Sequence, residues 1–161
     1  MASVDSALDW LVVPGFSRIG YEVRKRGWVN DLERLDGQSV LVTGATSGLG
    51  FEAAKGFAEL GATVHLLVRN RERGEGAIGQ ILAANPDADL HLQIADLSSL
   101  SSIREFCQRF TSEQKELHVL VNNAGSMHDE REVSVDGFEL TFATDLLGPF
   151  LLTELLIPLL I

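Results

Sequence analysis

Four short apolar runs constrain this chain more than any other feature: Ser39–Thr43, Thr63–Val68, Leu90–Ile94 and His118–Asn122. Each is rich in Val, Leu or Ile with little polar alternation, which suits a strand buried on both faces. The segments between them carry helical spacing. Leu49, Ala53, Phe57 and Leu60 fall on one stripe, with Gly61 placed to stop the helix. Leu100, Ile103, Cys107 and Phe110 make a second stripe, and Ser102 with Glu105 fits a capping box near its start. A repeated strand–helix succession predicts parallel strands joined by right-handed crossovers, hence a doubly wound α/β sheet. A last helix is expected from roughly Gly137 to Ile161. It stops in apolar sequence, which suggests the front portion of a longer protein.

Composition narrows the function. Of the 161 residues, 45 % are hydrophobic and 22 % charged, an ordinary globular mixture with enough chain for a core. The formal charge of −10 lies wholly beyond residue 35: residues 1–35 hold five acidic and five basic side chains, the remainder eighteen and eight. So acidic a surface repels a phosphate backbone, and no nucleic-acid partner is expected. The single cysteine, Cys107, excludes an internal disulfide, and no metal site is expected. A reducing, cytoplasmic setting follows as the expectation. Asp5 and Asp9 stand where a signal peptide has its positive region, and the apolar run Trp10–Val13 is short. The run Leu146–Ile161 is interrupted by Gly148, Pro149, Thr153, Glu154 and Pro158, short of the roughly 20 residues of a membrane span. Residues 1–35 form a separate extension in which Arg18, Arg24, Lys25 and Arg26 alternate with Phe16, Ile19, Tyr21, Val23 and Trp28. Two readings stay open: an amphipathic helix in peripheral contact with an anionic membrane, or a segment packed on protein.

The chemistry is concentrated in Thr43-Gly44-Ala45-Thr46-Ser47-Gly48-Leu49-Gly50, directly after one expected strand and opening a helix. A pyrophosphate needs backbone N–H groups unobstructed by side chains at the positive end of a helix. Gly44 permits the tight turn, Gly48 lets the backbone approach the phosphates, and Gly50 allows close helix–strand packing. Thr46 and Ser47 add hydroxyl donors. A Walker A loop is excluded, because Gly48 and Gly50 are followed by Leu49 and Phe51 rather than lysine. About twenty residues on, where a carboxylate normally holds the adenosine ribose, stands Arg69, followed by Asn70, Arg71 and Arg73. A guanidinium grips a 2′-phosphate that a carboxylate would repel, so NADP is expected in preference to NAD. The alternative is a solvated basic helix start.

With Asn122-Asn123-Ala124-Gly125 after the fourth strand, and Asp96-Leu97 after the third, residues 36–161 resemble the first half of a short-chain dehydrogenase/reductase domain. The resemblance implies a Rossmann-type sheet, incomplete, with about four of the expected strands. It implies that Asp96 and Leu97 contact adenine, and that Asn123, Ala124 and Gly125 line the cofactor ribose. Asn122 would tie the central strands. It further implies an NADP-dependent oxidoreductase that exchanges a hydride with a small carbonyl or alcohol substrate. The other reading is an inactive nucleotide-binding or dimerisation module, a homodimer forming through the last helix.

Two departures from the family pattern bear on catalysis. The family's Tyr-x-x-x-Lys pair follows a fifth strand that this chain does not reach. Tyr21 and Lys25 have that spacing but precede the first strand, where a four-residue spacing is commonplace. Asp145, in Asp145-Leu146-Leu147-Gly148, occupies the place of the family's proton-relay asparagine. A carboxylate there can only accept hydrogen bonds, which alters any relay. No catalytic residue is therefore assigned. Cys107 is expected to pack on its helix stripe, and the histidines form no site.

Overall fold

The computed structural model describes residues 17–25, 27 and 32–161. The run Trp10–Val13 and the residues Phe16, Arg26 and Trp28 lie outside them, as do the side chains of Arg18 and Ile19. The chain forms two compact units, residues 1–33 and 34–161. In the first, helix α1 (Arg18–Lys25) carries Arg24 and Lys25 in its last turn, the end at which the helix dipole favours cations. The Lys25 ammonium lies 5.6 Å from the centre of the Tyr21 ring, a cation–π pair one turn apart.

The second unit alternates strands and helices: β1 (Ser39–Thr43), α2 (Gly48–Glu59), β2 (Thr63–Val68), α3 (Arg71–Ala84), β3 (Leu90–Ile94), α4 (Leu100–Glu113) and β4 (Val119–Val121). All pairings are parallel and the order is β3-β2-β1-β4, so the chain reverses its winding direction at β1. This is the expected doubly wound sheet, with the first three strands at the expected residues and the fourth shorter by one residue at each end.

Side-chain alternation on the strands feeds two cores. Val40, Val42, Val64, Leu66 and Val68 face Ala54, Ala58, Ala77 and Ile81 of α2 and α3. Leu41 and Leu67 face Ile103, Phe106, Cys107 and Phe110 of α4. The helices on the first side bring small residues to the sheet: α2 buries Gly50, Ala54 and Ala58, and α3 buries Gly74, Ala77 and Ile81. This corrects the expected stripe on α2. Leu49 is 85 % exposed, and Ala53, Phe57 and Leu60 are only half-buried. The helix rides so close to the sheet that only Gly and Ala fit beneath it; a Cβ at Gly50 would collide with the Asn123 amide.

The capping box at α4 also needs correction. Ser99 caps this helix by accepting from the Ser102 N–H, while the Ser102 hydroxyl accepts from the Asp96 N–H at 3.0 Å. Ser102 is thus spent on the preceding loop. The last helical segment begins at Leu140, not Gly137: Gly137 sits in a turn at φ +83°. Glu139 caps it, accepting from the Phe142 and Thr141 N–H groups, and these bonds hold its carboxyl below the usual range. The segment runs through α5 (Leu140–Phe142), a wider π turn at Ala143–Leu147, α6 (Gly148–Leu156) and a tight turn at Ile157–Leu159. Nor does it end as helix, since Leu160 forms a parallel bridge with Leu117 at the edge of β4.

Leu140–Leu159 is, by length and composition alone, a helical stretch able to cross a membrane, longer than the interrupted sequence suggests. Its Leu152 and Leu156 are fully buried in the core shared with α4. Phe142, Leu146, Phe150 and Ile157 remain exposed.

Candidate functional site

The carboxyl end of β1 is where the site begins. Thr43 is buried, and its hydroxyl serves the neighbouring strand three times: it donates to the Val121 carbonyl (3.2 Å) and accepts from the N–H groups of Asn123 (2.9 Å) and Ala124 (3.0 Å). Asn123 answers by donating its side-chain amide to the Thr43 carbonyl at 3.0 Å. Asn123, rather than Asn122, therefore ties the central strands. The Asn122 amide turns to the Thr153 hydroxyl of α6, 3.0 Å away.

On this clamp sits the glycine turn. Gly44 has φ +68°, and a Cβ there would lie 2.8 Å from the Ala124 Cα, so two backbones cross where no side chain fits. Gly48 also has a positive φ, +58°, but faces open space. Ser47 is extended and gives no side-chain cap to α2. Among the described residues the N–H groups of the first turn of α2 are thus left without a side-chain acceptor, the arrangement that binds anions. Thr43 lies beneath this surface, Gly50 beneath it against Asn123, and Leu49 projects into solvent.

Around the turn lies a cleft of about 550 Å³. Of the residues expected from sequence, it is lined by Gly44, Thr46, Ser47, Arg69, Asn70, Asp96, Leu97, Asn123, Ala124 and Gly125. Thr43, Gly48, Leu49 and Gly50 are not among its lining residues, but Gly48 to Gly50 form the helix start directly after Ser47, which is. Its β2–β3 flank is basic. Arg69 is exposed, and Arg73 lines the cleft beside it. Among the described residues neither pairs with a carboxylate, whereas Arg71 lies 3.8 Å from Glu75. Asn70 is committed to capping α3, accepting from the Arg73 N–H at 2.9 Å. The Asp96 carboxylate spends one oxygen on Ser98, accepting from its N–H (2.9 Å) and hydroxyl (2.7 Å), while the other oxygen makes no bond among the described residues.

The β4 flank is lined by Asn123–Ser126 and by Thr144 of the π turn. Behind it stands Asp145, whose Oδ1 accepts from the Ser126 N–H at 2.8 Å. The Ser126 hydroxyl is buried and has no partner among the described residues. Sequence reasoning did not place Ser126 or Thr144 in the site. Ser126 adjoins the recognised Asn-Asn-Ala-Gly run, a signal that could have found it. Thr144 arrives from a distant helix, and no local pattern marks it.

Elsewhere, no group of three or more metal-ligating side chains occurs among the described residues. Cys107 is buried in the α4 core, and burial pushes its thiol up to about 11, which suits packing rather than reactivity.

Comparison with known proteins agrees with this geometry. The family model "short chain dehydrogenase" matches residues 38–161. Human "Dehydrogenase/reductase SDR family member 12" is 42 % identical over 147 residues, covering 90 % of this chain and 46 % of that protein. The crystal structure of an uncharacterized Mycobacterium paratuberculosis protein superposes with a TM-score of 0.71 at 39 % identity, over 83 % of this chain and 47 % of its own. A short chain dehydrogenase from Shigella flexneri, complexed with NADP, gives a TM-score of 0.65 at 29 % identity, over 79 % and 55 %. The chain spans about half the length of the curated relatives it matches.

Proposed function

We propose, from the premise that this chain belongs to the short-chain dehydrogenase family, that its cleft binds NADP and serves as the dinucleotide half of an oxidoreductase. One observation carries the reading: an uncapped helix start behind a glycine-lined turn, flanked by two guanidiniums that have no carboxylate partner among the described residues. The residues present fit the group. The first-turn N–H groups of α2, with Thr46 and Ser47, would hold the pyrophosphate. Arg69 and Arg73 would take the 2′-phosphate, the second oxygen of Asp96 the adenine amino group, and Asn123–Gly125 the ribose on the β4 side. The chemistry such a cofactor supplies is hydride exchange with a carbonyl or alcohol carbon. The 161 residues contribute binding and orientation. Their only tyrosine, Tyr21, lies on α1 ahead of β1, and Asp145 is engaged with the Ser126 backbone.

Calorimetric titration of NADP and NAD tests this reading. Charge-assisted bonds of about 1.5–3 kcal/mol predict that Arg69→Asp weakens NADP binding by about ten- to a hundredfold and NAD binding much less. Equal loss for both sinks the NADP assignment.

A second reading is favoured by the apolar stripe Phe142, Leu146, Phe150 and Ile157, all exposed. This face would join two copies of the chain. Sedimentation velocity on Phe150→Glu tests it, with a shift toward monomer expected.

A further inference from the structure

We propose that Asp145 makes the cleft discriminate between the two redox forms of the dinucleotide, favouring the oxidised one. The inference rests on the dinucleotide reading above and adds a charge preference to it. Strand order β3-β2-β1-β4 sets the glycine turn at the middle of the cleft. Arg69, Arg73 and Asp96 stand on one flank, Gly125, Ser126 and Thr144 on the other. The phosphate-bearing adenosine end goes to the guanidiniums, which leaves the β4 flank to the nicotinamide end.

Asp145 stands immediately behind that flank. Its Oδ1 holds the Ser126 N–H at 2.8 Å. A Cβ built on Gly125 would lie 3.7–3.8 Å from the carboxylate carbon and both oxygens, so Gly125 has no side chain to interpose. Among the described residues no cation is paired with Asp145. The nicotinamide ring is cationic when oxidised and neutral when reduced. A carboxylate this close to the flank therefore stabilises one form and leaves the other nearly untouched, and only such a difference shifts a binding equilibrium. The family-type asparagine at this position has the same shape and the same acceptor oxygen for Ser126, without the charge.

Charge and shape are thus separable by titrating the full chain with NADP⁺ and with NADPH, followed by calorimetry. Asp145→Asn is expected to keep NADPH affinity and lower NADP⁺ affinity, changing the ratio of the two dissociation constants by about three- to tenfold. Asp145→Ala also removes the anchor on Ser126, so both affinities fall while the ratio changes by the same factor. A thermal melt of each variant verifies folding before titration. An unchanged ratio in both variants overturns the proposal and leaves Asp145 a structural anchor. If the unsubstituted chain binds neither nucleotide, the dinucleotide reading itself fails, and this inference with it.

Discussion

On the β4 side of the glycine turn, the polar residues are tied into the fold: the Thr43 hydroxyl makes three bonds, Asn123 returns one to the Thr43 carbonyl, and Asp145 holds Ser126. On the β2 side, Arg69 and Arg73 make no ion pair among the described residues, and Asn70 does no more than start α3. His65 in β2 is buried between His91 and Phe110, and neither ring nitrogen has a partner among the described residues. The difference teaches that one side of the cleft is a scaffold fixed before any ligand arrives, and the other a set of charges whose value depends on the ligand.

Breaking the scaffold should have the largest effect. Gly44→Val forces a β-branched residue into φ +68° and against the Ala124 backbone. It should cost about 3–5 kcal/mol of stability by urea unfolding and abolish dinucleotide binding. A stable, binding-competent variant would show that the two flanks are not built so differently. Acid should act next. Burial first, then the nearby His91 charge, lower the His65 pKa to about 4, against an ordinary 6.5. As pH falls the unfolded chain binds its proton first, so stability is complete above pH 6.5 and declines between 6.5 and 4. The expected loss over that window is about 3 kcal/mol. Parallel unfolding curves of the unsubstituted chain and His65→Phe measure the difference, and identical pH dependence would refute it. Thr43→Val keeps the shape but takes the acceptor from the half-buried Ala124 N–H and leaves the Asn123 N–H only the Val121 carbonyl, for about 2 kcal/mol. The smallest effect on stability belongs to the charged flank: Arg73→Gln should change unfolding by under about 0.5 kcal/mol. The same change should weaken NADP binding by about tenfold, read by titration.

The strands were legible because a buried parallel sheet demands nearly continuous apolar runs, and β1, β2 and β3 fall on the residues that show them. The glycine turn was legible because an open anion-binding helix start tolerates so few residue types. The face of α2 was misread for a related reason. Apolar periodicity weights large side chains, whereas this helix presents Gly50, Ala54 and Ala58 to the sheet and turns Leu49 outward. Close approach, which leaves no trace in hydrophobicity, chose the buried face. The same holds for Ser102, whose hydroxyl was expected to cap a helix and instead accepts from Asp96. A hydroxyl has several acceptable partners, and only proximity selects one.

What the sequence determined by itself was the alternation of strand and helix, the turn after β1 and the basic character of the residues after β2, each a matter of local pattern and residue type. Which asparagine clamps the strands, that Thr144 and Ser126 share a wall, and that the Asp145 carboxylate lies behind Gly125 were decided only in three dimensions. Those juxtapositions join residues 18 to 80 positions apart along the chain, and no local pattern encodes a distance that packing alone sets.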